Sequence, residues 1–170
     1  MTAAELRLPP FRMIHAAYVT PDLEQGKRRL AAMYGVRQFK VIRQAPIEVP
    51  GGVAMIDFAV AEANGTCFEA INPTGGQDAV YRNALPDDPS TIAFHHFASR
   101  IMNQSEWDMV LEAVEENDIE VFVYGDSDDL KYIYLDLRRQ LGHILEYIWY
   151  CNPAAEKAAD GMAVTETVDL

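Results

Sequence analysis

Apolar and polar residues in the first half of the chain alternate in the order expected for one strand, one helix and three further strands. Residues 11–20 are rich in β-branched and aromatic side chains, which predicts a strand. The Thr20-Pro-Asp sequence then predicts a helix start with Thr20 as the N-cap, and Gly35 predicts its end. Three strand-like runs follow, at roughly 37–43, 53–61 and 65–72, and the first is predicted to be separated from the second by Pro46, Pro50, Gly51 and Gly52.

The same order of elements repeats in the second half, so the pattern predicts two βαβββ modules. A strand is predicted at 91–101, and a helix opens at Ser105. The division of the chain is a first module at 11–75, a connector at 76–90, a second module at 91–150 and a C-terminal tail at 151–170. The tail has no aromatic residue, and we expect it to be poorly ordered or to lie on the surface. Within the second module, the remaining strand-like runs are 119–124, 130–137 and 142–150.

Composition narrows the classes of function. The 170 residues are 49% hydrophobic and carry a formal net charge of −12, whereas a general nucleic-acid-binding protein is basic. No apolar run approaches the roughly 20 residues of a membrane-spanning helix, and no signal peptide is visible. Cys67 and Cys151 are too few for a disulfide framework. We therefore expect a cytoplasmic protein with a small-molecule partner, without nucleic acid or membrane.

The repeated modules also carry a repeated pair of residue types that bind metals. His15 and His96 each begin a His-x-Ala sequence on the first strand of their module. Glu69 and Glu146 each end a Gly-x-x-x-Glu sequence on the last strand. Acids in such apolar strands are unfavourable unless they are paired or bind a metal. Two imidazoles and two carboxylates suit one divalent ion of Zn, Ni, Co, Mn or Fe.

Strand alternation distinguishes between neighbouring candidates. Side chains two residues apart share a face, so His96 and Arg100 are predicted to lie on one face. His95 is predicted to point the other way, which makes His96 the predicted ligand of the adjacent pair. Arg100 has two interpretations: it binds a carboxylate or phosphate of the substrate, or it pairs with a nearby acid at the strand end.

Four sequence motifs resemble the vicinal oxygen chelate superfamily, in order and at near-equal spacing over residues 11–150. They are His15-Ala-Ala-Tyr-Val-Thr-Pro-Asp-Leu23, Cys67-Phe-Glu-Ala-Ile-Asn-Pro73, Phe94-His-His-Phe-Ala98 and Leu141-Gly-His-Ile-Leu-Glu-Tyr-Ile148. The chain looks closest to the glyoxalase-like branch that includes the methylmalonyl-CoA epimerases. The resemblance implies an α+β fold in which two βαβββ modules form a cup-shaped, eight-stranded mixed sheet with helices outside. It also implies a homodimer, and a metal inside the cup bound by His15, Glu69, His96 and Glu146.

A complete His/Glu/His/Glu set favours a metal-dependent isomerase, epimerase or lyase. Such an enzyme transfers a proton next to a carbonyl while the metal chelates the substrate oxygens, and Glu146 or Glu69 is the predicted catalytic base. The expected substrate is a small molecule such as a thioester or a carboxylate.

Two alternatives remain open. An Fe(II) ring-cleavage dioxygenase of this superfamily uses three protein ligands, and Glu69 would occupy a position that oxygen or substrate needs. A non-catalytic small-molecule binding protein needs no metal set.

One departure from the family's pattern concerns the epimerases, which have a second catalytic carboxylate before the third strand. Glu48 is near that place, but Pro50 stands at the matching position of the local motif.

Overall fold

The computed structural model describes residues 6–169, and for residues 158–160 it describes the backbone alone. Residues 1–5, which bear on the expected lack of a signal peptide, and Leu170 of the predicted tail lie outside the described residues. The strands are β1 (Met13–Val19), β2 (Gln38–Val49), β3 (Gly52–Ala63), β4 (Thr66–Gly76), β5 (Ala93–Arg100), β6 (Val121–Asp126), β7 (Leu130–Leu137), β8 (His143–Tyr150) and β9 (Val164–Thr167). The helices are α1 (Leu23–Tyr34), α2 (Ala79–Arg82), α3 (Gln104–Asn117) and α4 (Pro153–Met162). None of the helices in the described chain has the length and apolarity that a bilayer crossing requires.

Within residues 6–169, the nine strands form one mixed sheet in the order β6-β7-β8-β5-β1-β4-β3-β2-β9. Each module closes in the same way, because its first and last strands pair in parallel: β1 with β4, and β5 with β8. The antiparallel pair β1–β5 joins the two modules at the centre. The sheet curls into a cup, and β2 of the first module contacts β6 of the second. The α+β fold of two βαβββ modules is therefore confirmed, with a ninth strand added.

Helices α1 and α3 pack outside the cup, one on each module. Leu30 of α1 is buried in one apolar cluster with Phe39 of β2. Trp107 of α3 is buried in another with Leu135 of β7. A third apolar cluster fills part of the cup interior and includes Tyr134. Because the helices cover the outer face, the inner face of the central strands is left for a site.

The start of α1 differs from the prediction. Asp22, not Thr20, is the N-cap, and its carboxylate accepts hydrogen bonds from the backbone N–H groups of Glu24 and Gln25 at 2.8 and 3.2 Å. Thr20 instead donates its hydroxyl to the Asp22 carbonyl at 2.8 Å. A carboxylate is among the best N-cap groups, so the two-residue shift follows ordinary capping preferences. Gly35 ends the helix at φ 72°, as predicted.

Strand β2 is longer than predicted because Pro46 does not break it. Pro46 pairs with Met55 of β3, beyond the part of β2 that carries β9. Its outer side is therefore a sheet edge, where a missing N–H leaves no ladder bond unmade. The chain also bulges just before it, where Gln44 takes a left-handed conformation at φ 53°.

Of the two expectations for the tail, poor order is wrong for the described residues, most of which lie at the surface. The tail forms α4 and β9, and β9 pairs antiparallel with β2 along residues 38–41. Val168 is buried in the cluster under α1, and Lys27 of α1 forms an ion pair with Glu166. Three of the four residues of β9 are β-branched and favour a strand, but a run this short gains its strand conformation from pairing with the exposed edge of β2.

Candidate metal centre

The four predicted ligands lie on four adjacent strands at the centre of the sheet. His15 is on β1, His96 on β5, Glu69 on β4 and Glu146 on β8. All four side chains are buried.

Register explains how each module presents its histidine and its carboxylate together. In the first module Ala17 pairs with Glu69, and in the second Ala98 pairs with Glu146. Both alanines are fully buried. Each alanine comes two residues after the histidine of its strand and shares a face with it. Because the alanine methyl group occupies little space, the glutamate paired with the alanine can lie beside that histidine.

Three donor atoms converge in the cup. The two imidazole Nε2 atoms of His15 and His96 are 3.3 Å apart. Oε2 of Glu146 lies 3.0 Å from Nε2 of His96 and 3.3 Å from Nε2 of His15. These three residues form a group that could hold a metal ion. The Glu69 carboxylate is next to them, 3.3 Å from Nε2 of His15 and 4.0 Å from Nε2 of His96.

The spacing and chemistry of these donors fit a divalent cation. Atoms bound about 2.1 Å from one ion lie roughly 3.0 Å apart in octahedral geometry and roughly 3.4 Å apart in tetrahedral geometry. The observed separations of 3.0–3.3 Å fall between these values. Oε2 of Glu146 is also buried without a hydrogen-bond partner among the described residues. Such an oxygen is unfavourable unless a cation or donor reaches it.

The pKa values of the two carboxylates, Glu69 and Glu146, shift in opposite directions. Burial raises the pKa of Glu69, and the neighbouring imidazoles offset this only in part. Burial also opposes ionisation of Glu146, but contacts with His15 and His96 lower its pKa to about 2. For His15, burial disfavours the imidazolium, yet Glu69 and Glu146 raise its pKa to about 9. The three groups thus form a charge-coupled cluster in the metal-free protein.

The structure places His95 differently from its prediction. Ala17 of β1 pairs with His96, and the next residue, Tyr18, pairs with Phe94, so His95 is an extra residue in β5. This β-bulge interrupts the alternation of faces. The His95 ring is buried beside the His96 ring, with their Nδ1 atoms 2.8 Å apart. The expectation that His95 points the other way is therefore wrong, although it does not belong to the group of converging donors.

A cavity of about 620 Å³ opens over the metal-ligand candidates His15, Glu69 and Glu146. Its walls are mostly apolar and aromatic. The C-terminal segment contributes Ala163 and Thr165 to the lining, so the tail forms part of the cavity wall. Other lining residues include Ile42, Ile56, Phe58, Leu130, Tyr132 and Ile148. The sequence pattern did not identify this cavity, because the lining residues come from strands far apart in the chain.

Two further candidates lie away from the converging donors. Arg100 donates two hydrogen bonds of 2.7 Å to the Glu156 carboxylate on α4 and lies over the Tyr150 ring at 5.6 Å. Of the two interpretations given for Arg100, this contact corresponds to pairing with a nearby acid. Glu48 is exposed and does not line the cavity; its backbone N–H donates to the Tyr132 hydroxyl at 3.0 Å.

Comparison with known proteins identifies the architecture. No protein-family profile and no curated protein matches the sequence. Among solved structures, methylmalonyl-CoA epimerase from Mycobacterium tuberculosis aligns with a TM-score of 0.55 and 10% identity over 85% of this chain and 91% of that chain. A Streptomyces coelicolor methylmalonyl-CoA epimerase variant in complex with 2-nitronate-propionyl-CoA aligns with a TM-score of 0.55 and 14% identity, over 85% of this chain and 100% of that chain. The chain has the vicinal oxygen chelate fold.

A third structure with this fold is similar to the same extent. Methylmalonyl-CoA epimerase in complex with methylmalonyl-CoA and NH4+ aligns with a TM-score of 0.53 and 15% identity, over 84% of this chain and 96% of that chain. At such identities the likeness establishes the vicinal oxygen chelate fold alone. The roles of individual residues therefore depend on the geometry of this chain.

Proposed function

We propose that this protein is a metal-dependent enzyme that transfers a proton next to a carbonyl group, as an isomerase, epimerase or lyase does. The observation that carries the proposal is the convergence of His15, His96 and Glu146 beside a largely apolar cavity, with Oε2 of Glu146 buried against both imidazoles. We propose Glu69 as the fourth ligand, because its carboxylate also contacts His15.

The donor set suits Zn, Ni, Co, Mn or Fe(II), since it combines imidazole and carboxylate. Such an ion, when bound, is a Lewis acid that stabilises negative charge on a carbonyl oxygen. The protein contributes four donor side chains, each on a different strand of the sheet. Pairing between these strands fixes the distances between the donor atoms. Apolar walls such as Ile56 and Phe58 exclude water and so strengthen electrostatic interactions inside the cavity.

The proposed bases are Glu146 and Glu69. Both carboxylates line the cavity, so either can accept a proton from the carbon next to a substrate carbonyl and return it. Glu48 does not line the cavity and is not proposed as a second base. The roles of the two carboxylates therefore have to be separated by substitution of each.

The proposed substrate is a small carbonyl compound, a thioester or a carboxylate, with an apolar body. Structural neighbours have been solved with 2-nitronate-propionyl-CoA and with methylmalonyl-CoA, which supports a thioester. In this chain, the apolar body would lie between Ile42 and Phe58 on one side and Leu130 on the other. The homodimer remains a prediction, which light scattering of the purified protein would test.

Metal content and proton exchange together test the proposal. The protein, purified without chelators or a His-tag, should contain about one divalent ion per chain. In D2O it should exchange the proton next to the carbonyl in at least one acyl thioester of a panel, followed by proton NMR. Glu146→Gln should lose exchange by about 100-fold or more, as expected for a lost general base. The matched control, Glu48→Gln, changes an exposed carboxylate that does not line the cavity and should retain both properties.

The alternatives give different results in the same experiment. A protein that binds no divalent ion, or whose thermal stability does not rise with any of the five metals, contradicts the metal site. A metal-loaded protein that binds members of the panel without exchange contradicts the catalytic proposal and favours a binding protein. Oxygen uptake with catechols and Fe(II) would favour the dioxygenase instead.

A further inference from the structure

A chain of hydrogen-bonding groups runs from a backbone carbonyl to the candidate ligand His96. Nε2 of His95 lies 3.0 Å from the carbonyl oxygen of Val80, and Nδ1 of His95 lies 2.8 Å from Nδ1 of His96. Nε2 of His96 then faces His15 and Glu146. Every nitrogen of the two adjacent rings thus has a defined neighbour.

The chemistry of these neighbours fixes where the protons lie. A carbonyl oxygen only accepts, so Nε2 of His95 must carry the proton that binds Val80. A neutral imidazole has one ring proton, so Nδ1 of His95 is an acceptor. Nδ1 of His96 must then be the donor in the contact with His95. In a neutral His96 ring this leaves Nε2 with a free lone pair, which is the form that binds a metal.

Packing holds the His95 ring in this orientation. The ring is buried and stacks on Tyr81, with ring centroids 5.3 Å apart and planes at 29°. Tyr81 is itself fully buried and donates its hydroxyl to Tyr134 at 3.4 Å. Tyr134 also contacts the His96 ring, at 4.7 Å between centroids. Rotation of either imidazole would therefore require these aromatic side chains to move.

The β-bulge explains why two adjacent residues of one strand meet inside the cup. Regular alternation would place His95 and His96 on opposite faces. The extra residue in β5 brings both rings to the inner side, where His95 contacts the interior cluster. Bulges next to functional sites commonly re-aim a side chain in this way.

We propose that His95 is a positioning residue: it fixes His96 as the Nδ1-protonated tautomer and so makes Nε2 of His96 available to the metal. The proposal rests on the metal site of the proposed function. It extends that site beyond the converging donors to Val80, His95 and Tyr81. Groups of this kind, behind a metal-bound histidine, typically change metal affinity about 10–100-fold when they are lost.

The tautomer itself can be measured without any metal. Long-range proton–nitrogen NMR of the metal-free, nitrogen-labelled protein should show protons on Nε2 of His95 and on Nδ1 of His96, with Nδ1 of His95 bare. A proton on Nδ1 of His95 would overturn the proposal. This measurement uses the unsubstituted chain, so it does not depend on whether a variant folds or whether the protein binds a metal.

Zn²⁺ affinity, measured by competition with a chromophoric chelator, tests the consequence. His95→Phe keeps a ring against Tyr81 but removes the acceptor, and should weaken Zn²⁺ binding about 10–100-fold. His95→Gln retains a donor and an acceptor and should restore part of that loss. The matched control is His143→Phe, because His143 lies on β8 outside the chain of contacts and should bind Zn²⁺ as the unsubstituted protein does.

The two proposals fail in different ways. If His95→Phe folds, as judged by circular dichroism, and binds Zn²⁺ within about twofold of the unsubstituted protein, the role of His95 is wrong while the metal site stands. If the unsubstituted protein binds no Zn²⁺ or other divalent ion, the metal site is wrong. The nitrogen NMR result then still decides whether His95 sets the tautomer of His96.

Discussion

The two modules provide the same pair of residues but surround them differently. In both, a histidine on the first strand lies near a glutamate on the last strand, and an alanine pairs with that glutamate. His96 is fully buried and contacts His95 from behind. His15 lines the cavity, and the residue before it is Ile14, which has no hydrogen-bonding side chain. The repeated fold therefore sets the positions of the ligands, while the neighbouring residues set their chemistry.

The carboxylates of the two modules also differ, both in their distances from the imidazoles and in the direction of their pKa shifts. Glu146 lies 3.0 and 3.3 Å from the two imidazoles, whereas Glu69 lies 3.3 and 4.0 Å from them. The closer contacts lower the pKa of Glu146, and burial raises the pKa of Glu69. Two equivalent positions in a duplicated fold thus hold carboxylates of opposite acid–base character, as enzymes with two carboxylates often require.

The largest effect should come from exchanging these carboxylates for amides in the metal-free protein. The Glu146 pKa of about 2 lies below its ordinary 4.5, so its ionisation stabilises the fold above about pH 4.5 and this stabilisation is lost as pH falls through about 2. Glu146→Gln should therefore lower the free energy of unfolding at pH 7 by about 3 kcal/mol. Glu69→Gln should cause a smaller loss, because burial opposes the ionisation of Glu69 and offsets part of its attraction to the imidazoles. Urea unfolding measures both, and equal destabilisation would contradict the difference between the modules.

Enlarging the paired alanines should affect both modules equally. Ala17 and Ala98 are fully buried opposite Glu69 and Glu146. Ala17→Leu and Ala98→Leu should each lower the free energy of unfolding by about 2 kcal/mol, because overpacking strains the surroundings. Both should also weaken metal binding, because each glutamate is displaced. Ala32→Leu, on the exposed side of α1, is the control. A marked effect in one module alone would show that the registers are not equivalent.

Metal uptake should depend on pH through His15. Its pKa of about 9 means that the ring carries an extra proton below that pH in the metal-free protein, and metal binding must release it. The apparent affinity should rise about tenfold, or about 1.4 kcal/mol, for each pH unit between 7 and 9. Calorimetry at pH 7 in buffers of different ionisation enthalpy should report about one proton released per ion. Heats that do not depend on the buffer would contradict the charged state of His15.

The smallest effect should come from the ion pair that attaches α4 to the second module. The Arg100–Glu156 pair is bidentate but partly exposed, with side-chain exposures of 35% and 42%. Arg100→Ala should lower the free energy of unfolding by no more than about 1 kcal/mol. It should leave metal affinity unchanged, because Arg100 is not among the converging donors. A large loss of metal binding would show that α4 supports the site as well as the cavity wall.

Much of the architecture was predictable because its signals are local. Strand β7 begins and ends at the predicted residues 130–137, and Gly35 ends α1 as expected. The repeat indicated that each histidine lies near the glutamate of its own module, and the resemblance to the vicinal oxygen chelate superfamily implied that the two pairs meet inside the cup.

Features that depend on distant contacts were missed. Strand β9 pairs with the free edge of β2, and its β-branched residues alone make a run too short to predict a strand. The orientation of His95 depends on a β-bulge that appears only in the pairing of β5 with β1. An N-cap can be shifted by one or two residues where several capping types adjoin, as Thr20 and Asp22 do. For β9 and His95 the deciding partner is a distant strand, whereas the N-cap is a local choice between neighbouring capping residues.

The antiparallel β1–β5 pair makes the candidate metal centre a property of two halves. One half supplies His15 and Glu69, and the other supplies His96 and Glu146. A chain cleaved in the 76–90 connector would yield two fragments, each with half of the donors. Reassembly of such fragments would be thermodynamically linked to the ion, because tight binding requires both halves. Each half alone would present only two donors and bind an ion weakly, so a tight site would form only when both halves are associated.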